Sequence, residues 1–214
     1  MTVELKILCE GPTENNFVRL VLAPHLKPLG VYPRPLPLCY GNYGVVAFDT
    51  LRKAVQNEVG RLRHHQYVTT MIDIYGMRNF PGDPPDRSDA YQRVRSIEAA
   101  MATEFRNPQV IPYLQVHEFE ALVFTDLKVL EGQYPDGNVA KAVEQLRADV
   151  GDLAPELIND GPNTAPSKRL QRYLGEYNKV VDGPAIAGKI GLERLRRACP
   201  HFGAWLARLE SLAT

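Results

Sequence analysis

One segment of the 214-residue chain restricts the possible folds more than any other. The segment Tyr67-Val-Thr-Thr-Met-Ile-Asp73 carries β-branched and apolar residues on both of its faces. A strand with one solvated face alternates polar and apolar residues, whereas a strand with two apolar faces is typical of a parallel sheet covered by helices. This segment therefore predicts a buried parallel strand that ends at Asp73.

The segments around it predict an alternation of strands and helices. Strands are expected at 3–9, at 36–40 near a sheet edge, and at 110–116, while helices are expected from Thr13, over 47–62 and over 88–105. Strands that alternate with helices are typical of a parallel sheet. We therefore predict an α/β fold in which a parallel sheet of about four strands is flanked by helices.

The pattern changes after Asp126. Strand signals end there, and helical segments near 138–150, 167–175 and 192–211 are joined by turns rich in glycine and proline. We predict two units: an α/β domain at 1–126 and a helical C-terminal subdomain at 127–214 packed on it.

Composition excludes several classes of protein. Twenty-five basic residues balance 25 acidic ones, so no global charge draws the chain to nucleic acid or membrane. Cys9, Cys39 and Cys199 are widely spaced in apolar surroundings, which is typical of reduced thiols in the cytoplasm, the expected location. No apolar run is long enough to span a membrane. The chain also lacks a P-loop motif, which argues against ATP hydrolysis by the chain alone.

Acidic residues follow three of the predicted strands. They are Glu10 and Glu14 in CEGPTE, Asp73 in MIDIYG, and Glu118 and Glu120 in HEFEA. The carboxyl ends of parallel strands meet at one edge of a sheet, where α/β folds bind ligands. Clustered carboxylate oxygens suit Mg2+ or Mn2+, so the sequence predicts a divalent-metal site.

Simpler interpretations exist for most of these acids. Glu14 can stabilise the first turn of a helix while Glu10 is a solvated loop residue, and Glu118 can cap a helix while Glu120 is solvated. Asp73 resists such an interpretation, because a carboxylate at the end of a buried strand is costly unless it is paired or bound to metal.

Two further segments are candidates for substrate contacts. Ser167 is expected to cap a helix whose first turn carries Lys168 and Arg169, where cations are disfavoured unless an anion is nearby. The loop at 75–87 is long enough to serve as a lid or a recognition element.

These motifs resemble a known family. CEGPTENNF, DIYG, HEFEALVF, PELINDGPNTAPSKRL and IGLERLRRACPHFGAWL look like the Toprim-like family catalogued as domain of unknown function 4276, over nearly the whole chain. The wider Toprim group includes topoisomerases, primases and the nucleases of overcoming-lysogenization-defect proteins. The resemblance implies a Toprim-like fold for residues 1–126.

The same resemblance implies roles for individual residues. By this resemblance, the ligands of Mg2+ or Mn2+ are Glu10, Glu14, Asp73, Glu118 and Glu120. The catalytic residues that it implies are Glu10 and Lys168. Lys168 would neutralise charge that develops in the transition state. One departure is Tyr75, which occupies the place of the second aspartate in the D-x-D motif of many Toprim domains.

Three functions remain open at this point. The first is a metal-dependent nuclease acting on DNA or RNA, the effector of an ATPase-linked anti-phage defence system, with the ATPase as a separate partner, as the resemblance implies. The second is a non-catalytic adaptor that docks on the ATPase, and Tyr75 favours it. The third is a phosphohydrolase or nucleotidyl-transfer enzyme for small nucleotides, with the loop at 75–87 closing over the substrate.

Overall fold

A computed structural model of the chain describes residues 2–38, 47–75, 77–134, 138–158, 161 and 163–213. Within these ranges the strands are β1 (Val3–Cys9), β2 (Val31–Pro37), β3 (Gln66–Asp73), β4 (Val110–Ile111) and β5 (Leu114–Gln115). They pair in parallel in the order β2-β1-β3-β4, and β5 also pairs with β3. The predicted α/β fold with a parallel sheet is confirmed.

Helices surround this sheet. The α-helices are α1 (Pro12–Phe17), α2 (Ala23–Leu26), α3 (Phe48–Val59), α4 (Ala90–Phe105), α5 (Lys128–Gln133), α6 (Val139–Val150), α7 (Pro166–Leu174), α8 (Asp182–Ile190), α9 (Leu192–Ala198) and α10 (Pro200–Glu210). A π-helical turn, Val18–Leu22, joins α1 to α2. Short 3₁₀ helices lie at Lys27–Leu29, Phe119–Thr125, Pro155–Leu157 and Ser211–Ala213.

The sheet separates two hydrophobic cores. Side chains alternate between the faces of a strand, so Ile7 and Met71 belong to one core while Leu8 and Ile72 belong to the other. The first core includes α1 and the C-terminal helices, and the second includes α3 and α4. β3 is therefore buried on both faces, as its sequence predicts.

Strand β2 differs from its prediction. It spans Val31–Pro37 rather than 36–40, and residues 39–46 lie outside the described part of the chain. Val3 N–H donates to Gly30 C=O at 2.9 Å, and Leu38 N–H donates to Cys9 C=O at 2.9 Å, so the even-numbered residues of β2 bond to β1. The prolines occupy alternate, odd-numbered positions, where no N–H is needed for pairing.

The other differences are small. The strand predicted at 110–116 is divided into β4 and β5, with Pro112 and Tyr113 between them. Helix α4 begins two residues later than predicted, because the Asp89 side chain accepts a hydrogen bond from Gln92 N–H at 2.9 Å and caps it. The helix predicted at 192–211 is broken into α9 and α10 ahead of Pro200, and the predictions did not include α5 and α8.

The C-terminal helices pack directly on the sheet. Trp205 of α10 donates its indole N–H to the Thr69 hydroxyl of β3 at 2.9 Å and stacks on Tyr113, with ring centroids 4.2 Å apart. Glu156, which is fully buried, accepts hydrogen bonds from His201 N–H and Phe202 N–H in the first turn of α10. The Trp205 contacts join residues 127–214 to the sheet, and the Glu156 bonds hold that part together internally. The division at residue 126 stays a prediction.

The remaining composition-based predictions concern thiols and membranes. Cys9 and Cys199 are buried and free of disulfide bonds, while Cys39 lies outside the described residues. Across the described ranges, the helices are all too short or too polar to cross a membrane.

Candidate metal centre

The first acid of the site lies where β1 and β3 end side by side. The register pairs Cys9 with Met71, so the residues that follow them are neighbours. Glu10 N–H donates to Met71 C=O at 3.2 Å, and the Glu10 carboxylate accepts a hydrogen bond from Asp73 N–H at 3.1 Å. Parallel pairing therefore brings Glu10 and Asp73 together.

Glu14 enters the site through a tight turn. Gly11 is the N-cap residue of α1, and its N–H donates to the Glu14 carboxylate at 2.8 Å, as in a capping box. Glu14 does stabilise the first helical turn, as the simpler interpretation proposed. Its side chain nevertheless lies in the interior, with 5% of the residue exposed, so its charge also acts on the neighbouring acids.

Glu118 and Glu120 come from the segment after β5. Tyr75 N–H donates to His117 C=O at 3.1 Å, so the segments that follow β3 and β5 remain hydrogen-bonded beyond the ends of these strands. His117 has a positive φ of 61°, uncommon for a residue other than glycine, and the 3₁₀ helix begins two residues later. This backbone turn directs the HEFE segment toward the sheet edge.

The two glutamates of this segment have different surroundings. The Glu118 carboxylate accepts hydrogen bonds from Ser167 N–H at 2.9 Å and the Ser167 hydroxyl at 3.1 Å, so it anchors the start of α7 rather than its own helix. Glu120 is fully buried, and neither of its carboxylate oxygens has a hydrogen-bond partner among the described residues. The interpretation of Glu120 as solvated is therefore wrong.

A cavity of about 330 Å³ lies beside three of the five acids. Its lining includes Glu10, Glu14 and Asp73 together with the Gly11-to-Thr13 turn. Lys179, from the loop between α7 and α8, closes the other side, and its ammonium nitrogen lies 3.8 Å from a Glu120 carboxylate oxygen. Among the described residues, acidic groups at the centre therefore outnumber basic ones, with five carboxyl groups facing this one lysine.

Burial of so many acids changes their protonation. Burial and the nearby Glu14 raise the pKa of Glu10 to about 8, and burial raises the pKa of Glu120 to about 7. The pKa of Glu14 is raised by burial, and that of Asp73 is raised strongly by burial and by Glu10. Although burial opposes it, the acids around Lys179, with Glu120 contributing most, raise the pKa of its ammonium group. The carboxylates are therefore short of positive charge.

The donor set fits a hard cation. One Asp73 oxygen and both Glu120 oxygens are buried without hydrogen-bond partners in the described part of the chain, which is costly unless a cation satisfies them. As they stand, no three His, Cys, Asp or Glu side chains in the described ranges form a closed metal-ligand group. A cation would therefore require these side chains to rearrange.

The structure thus gathers Glu10, Glu14, Asp73, Glu118 and Glu120 at one sheet edge, and their roles as ligands stay predictions. Lys168 is exposed in the first turn of α7 and does not line the cavity. Arg169 is buried beside it and pairs with Asp149. Tyr75, at the position of the second aspartate, is 41% exposed.

Sequence reasoning missed two contributors. Lys179 lies 59 positions from Glu120 in a loop without a recognisable motif, so only tertiary structure brings it to the site. Ser167 was predicted to cap its own helix, but it serves as a donor to Glu118. The PSKRL segment drew attention to Ser167, whereas the sequence carried no signal for Lys179.

Comparisons with known proteins give a structural similarity and a family match. The chain is similar to the C-terminal region of the Xanthomonas campestris pv. campestris OLD protein, in structures phased with platinum and with iodine. Identity is 16% in both, with TM-scores of 0.39 and 0.38; the alignments cover 96% and 95% of this chain and 95% and 96% of the other. No curated protein matches the chain. A family model, Domain of unknown function (DUF4276), matches residues 9–210, and the chain therefore belongs to the DUF4276 family.

Proposed function

We propose that this chain is an Mg2+- or Mn2+-dependent nuclease that hydrolyses phosphodiester bonds in DNA or RNA. One observation carries the proposal: buried carboxylates from three separate segments meet beside a cavity with too little positive charge to balance them. Structural acids are normally paired or hydrogen-bonded, so an excess of unpaired ones is typical of functional sites.

The type of ligand narrows the chemistry. Carboxylate oxygens favour Mg2+ and Mn2+ over the softer metals that prefer sulfur or imidazole. When bound, such a cation supplies a Lewis acid for a phosphate oxygen and lowers the pKa of an attacking water. The motif resemblance to Toprim nucleases supports the same substrate class.

The residues of the chain would share this work. Glu10 and Asp73, linked by the Asp73 N–H bond, and Glu14, held by Gly11 N–H, would bind the cation. Glu118 would act indirectly, because both of its oxygens are already bonded to Ser167. Glu120 would add negative charge near Asp73, whose pKa it helps to raise.

Lys179 is the described cation best located to contact a phosphate. Its ammonium group remains protonated at neutral pH because the surrounding acids raise its pKa. Its side chain is 46% exposed, so it can reach a substrate in the cavity while remaining near Glu120. A protonated amine there would stabilise the extra negative charge of the pentacoordinate transition state.

The resemblance also supports a cellular setting. In that setting the chain would be the cytoplasmic effector of an anti-phage defence system whose ATPase is a separate protein. The equal numbers of acidic and basic residues suit a regulated enzyme, since little non-specific attraction to nucleic acid is expected.

Cleavage of polynucleotides tests the proposal. Purified protein is incubated with plasmid, single-stranded DNA and total RNA in Mg2+ or Mn2+, and a parallel set contains EDTA. We expect cleavage that EDTA abolishes and added Mn2+ restores. If the protein binds Mn2+ by calorimetry yet cleaves none of these substrates, even with the ATPase partner, the nuclease proposal fails and the adaptor hypothesis replaces it.

A pair of lysine variants tests the cation of the site. We expect Lys179→Ala to lower the cleavage rate about a hundredfold with little change in Mn2+ affinity, because it removes charge needed mainly in the transition state. Lys168→Ala is the matched variant, since Lys168 is exposed and outside the cavity lining. A larger loss in Lys168→Ala than in Lys179→Ala would return the catalytic role to Lys168.

A further inference from the structure

The outer edge of β2 is chemically unusual for an edge strand. In a parallel strand, successive residues direct their N–H and C=O groups alternately to the two sides. The bonds from Val3 N–H to Gly30 and from Leu38 N–H to Cys9 assign the even-numbered residues to β1. The outer edge therefore consists of Val31, Pro33, Pro35 and Pro37, and three of these four residues lack an N–H group. We call this the proline edge.

The proline edge cannot accept another strand. A strand added to a sheet needs both donors and acceptors along the edge, and after Val31 this edge offers acceptors alone. The prolines thus exclude the common mode of peptide recognition by strand addition. Whatever binds here must use side chains.

The side chains beside the proline edge are basic. A groove of about 610 Å³ lies along it, and its lining includes Arg19, Lys27 and Arg34 but no acidic residue. All three cations are exposed, and none forms an ion pair with a carboxylate within the described ranges. By contrast, Arg93, Arg194 and Arg197 are each paired with an acid.

Two elements, β1 and α1, connect the groove to the metal centre. β2 and β1 run in parallel, so Pro37 ends beside Cys9, directly before Glu10. Arg19 donates a hydrogen bond at 2.7 Å to the side chain of Asn15, the neighbour of Glu14, and Arg19 and Glu14 both act electrostatically on Cys9. The carboxyl end of β2, which lines the groove, therefore lies beside the strand that leads into Glu10.

From these observations we infer that the basic groove along the proline edge binds the phosphate backbone of a nucleic-acid strand and leads it to the metal centre. The inference deepens the proposed nuclease function and rests on it. Cations spaced along a groove fit the repeating negative charge of a phosphodiester backbone, and Tyr32, 46% exposed on the same strand, offers a ring for stacking on a base. A chain with zero net charge gains its local affinity from this patch.

Binding measurements test the groove separately from catalysis. Fluorescence anisotropy records the affinity for labelled single-stranded DNA, single-stranded RNA and duplex DNA, with Ca2+ in place of Mg2+. The test variant is Lys27→Ala/Arg34→Ala. The matched control is Arg61→Ala/Arg63→Ala, which removes the same charge from two exposed arginines in the turn before β3 and outside the groove lining.

We expect the test variant to bind single strands about tenfold more weakly than the wild type and the control. The slope of log K against log salt concentration should also fall by about 1.4 for a single strand, since each lost phosphate contact removes about 0.7. If the two double variants have equal affinity and equal salt slope, the inference that the groove binds nucleic acid is wrong. A loss confined to duplex DNA would overturn the inference that the groove binds a single strand.

A short substrate separates this failure from failure of the proposed function. Bis(p-nitrophenyl) phosphate is too small to span the groove and the cavity, so Lys27→Ala/Arg34→Ala should hydrolyse it in Mn2+ at the wild-type rate. If the wild type hydrolyses it and the test variant still binds polynucleotides normally, the nuclease stands without the groove. If no phosphodiester is hydrolysed, the nuclease function fails while the binding result still decides whether the groove holds nucleic acid.

Discussion

Asp73→Asn is expected to lower Mn2+-dependent cleavage at least about a hundredfold, because it removes a negatively charged oxygen from the centre of the site. Asp73 is 8% exposed, and one of its oxygens has no hydrogen-bond partner among the described residues. Asparagine has nearly the same shape and keeps one oxygen, so packing at the end of β3 should be preserved. The loss would thus report on charge rather than on folding.

The measurement combines cleavage with metal binding. Mn2+ should raise the melting temperature of the wild type, while Asp73→Asn should show a much smaller shift. Asp152→Asn is the matched control, since Asp152 is exposed and does not line the cavity, and it should behave as the wild type in both assays. Wild-type cleavage by Asp73→Asn would remove Asp73 from the site and with it the centre as described.

The sequence predicted the acids of the site because their placement depends on local patterns. The β-branched run of β3 identifies a buried strand, and the change at Asp73 identifies its end. Parallel pairing then places the residues after β1 and β3 side by side, as the hydrogen bond from Asp73 N–H to Glu10 illustrates. Two local patterns and one general rule of sheet geometry were sufficient.

The sequence could not predict features that depend on distant contacts. Lys179 and Glu120 meet only because α7 and α8 fold back over the sheet edge, and Glu118 finds its partner Ser167 49 positions away. The edge strand was predicted at 36–40 rather than at Val31–Pro37 for a different reason. Propensity counts every proline against a strand, whereas a parallel edge strand uses only alternate N–H groups, so Pro33 and Pro35 do not disturb its pairing.

Stability without metal is expected to fall as pH rises from about 5 to 8. Glu10 has a folded-state pKa of about 8 and Glu120 of about 7, both above the ordinary glutamate value of 4.5, so the folded state favours their protonated forms. A group with a raised folded-state pKa stabilises the fold fully below its unfolded pKa, and this contribution is lost as pH rises through the folded pKa. Divalent metal requires deprotonated ligands, so stabilisation by Mg2+ should grow across the same interval.

Glu10→Gln separates this effect from ordinary acid or base denaturation. Glutamine resembles the protonated acid and retains an oxygen that can accept the Asp73 N–H bond. At pH 8 without metal it should raise the free energy of unfolding by about 2 kcal/mol, or the melting temperature by about 4 to 8 °C, and it should abolish most of the gain from Mg2+. Thermal melts at pH 5, 6.5 and 8, with Mg2+ or EDTA, measure both effects.

Glu131→Gln, at an exposed position of α5, is the control and should follow the wild type. A metal-free melting temperature that is constant over this interval, or a Glu10→Gln protein that is less stable than the wild type at pH 8, would contradict an electrostatically strained acid cluster. The expected result would instead mean that the fold tolerates unpaired charge at this sheet edge because a bound cation relieves it.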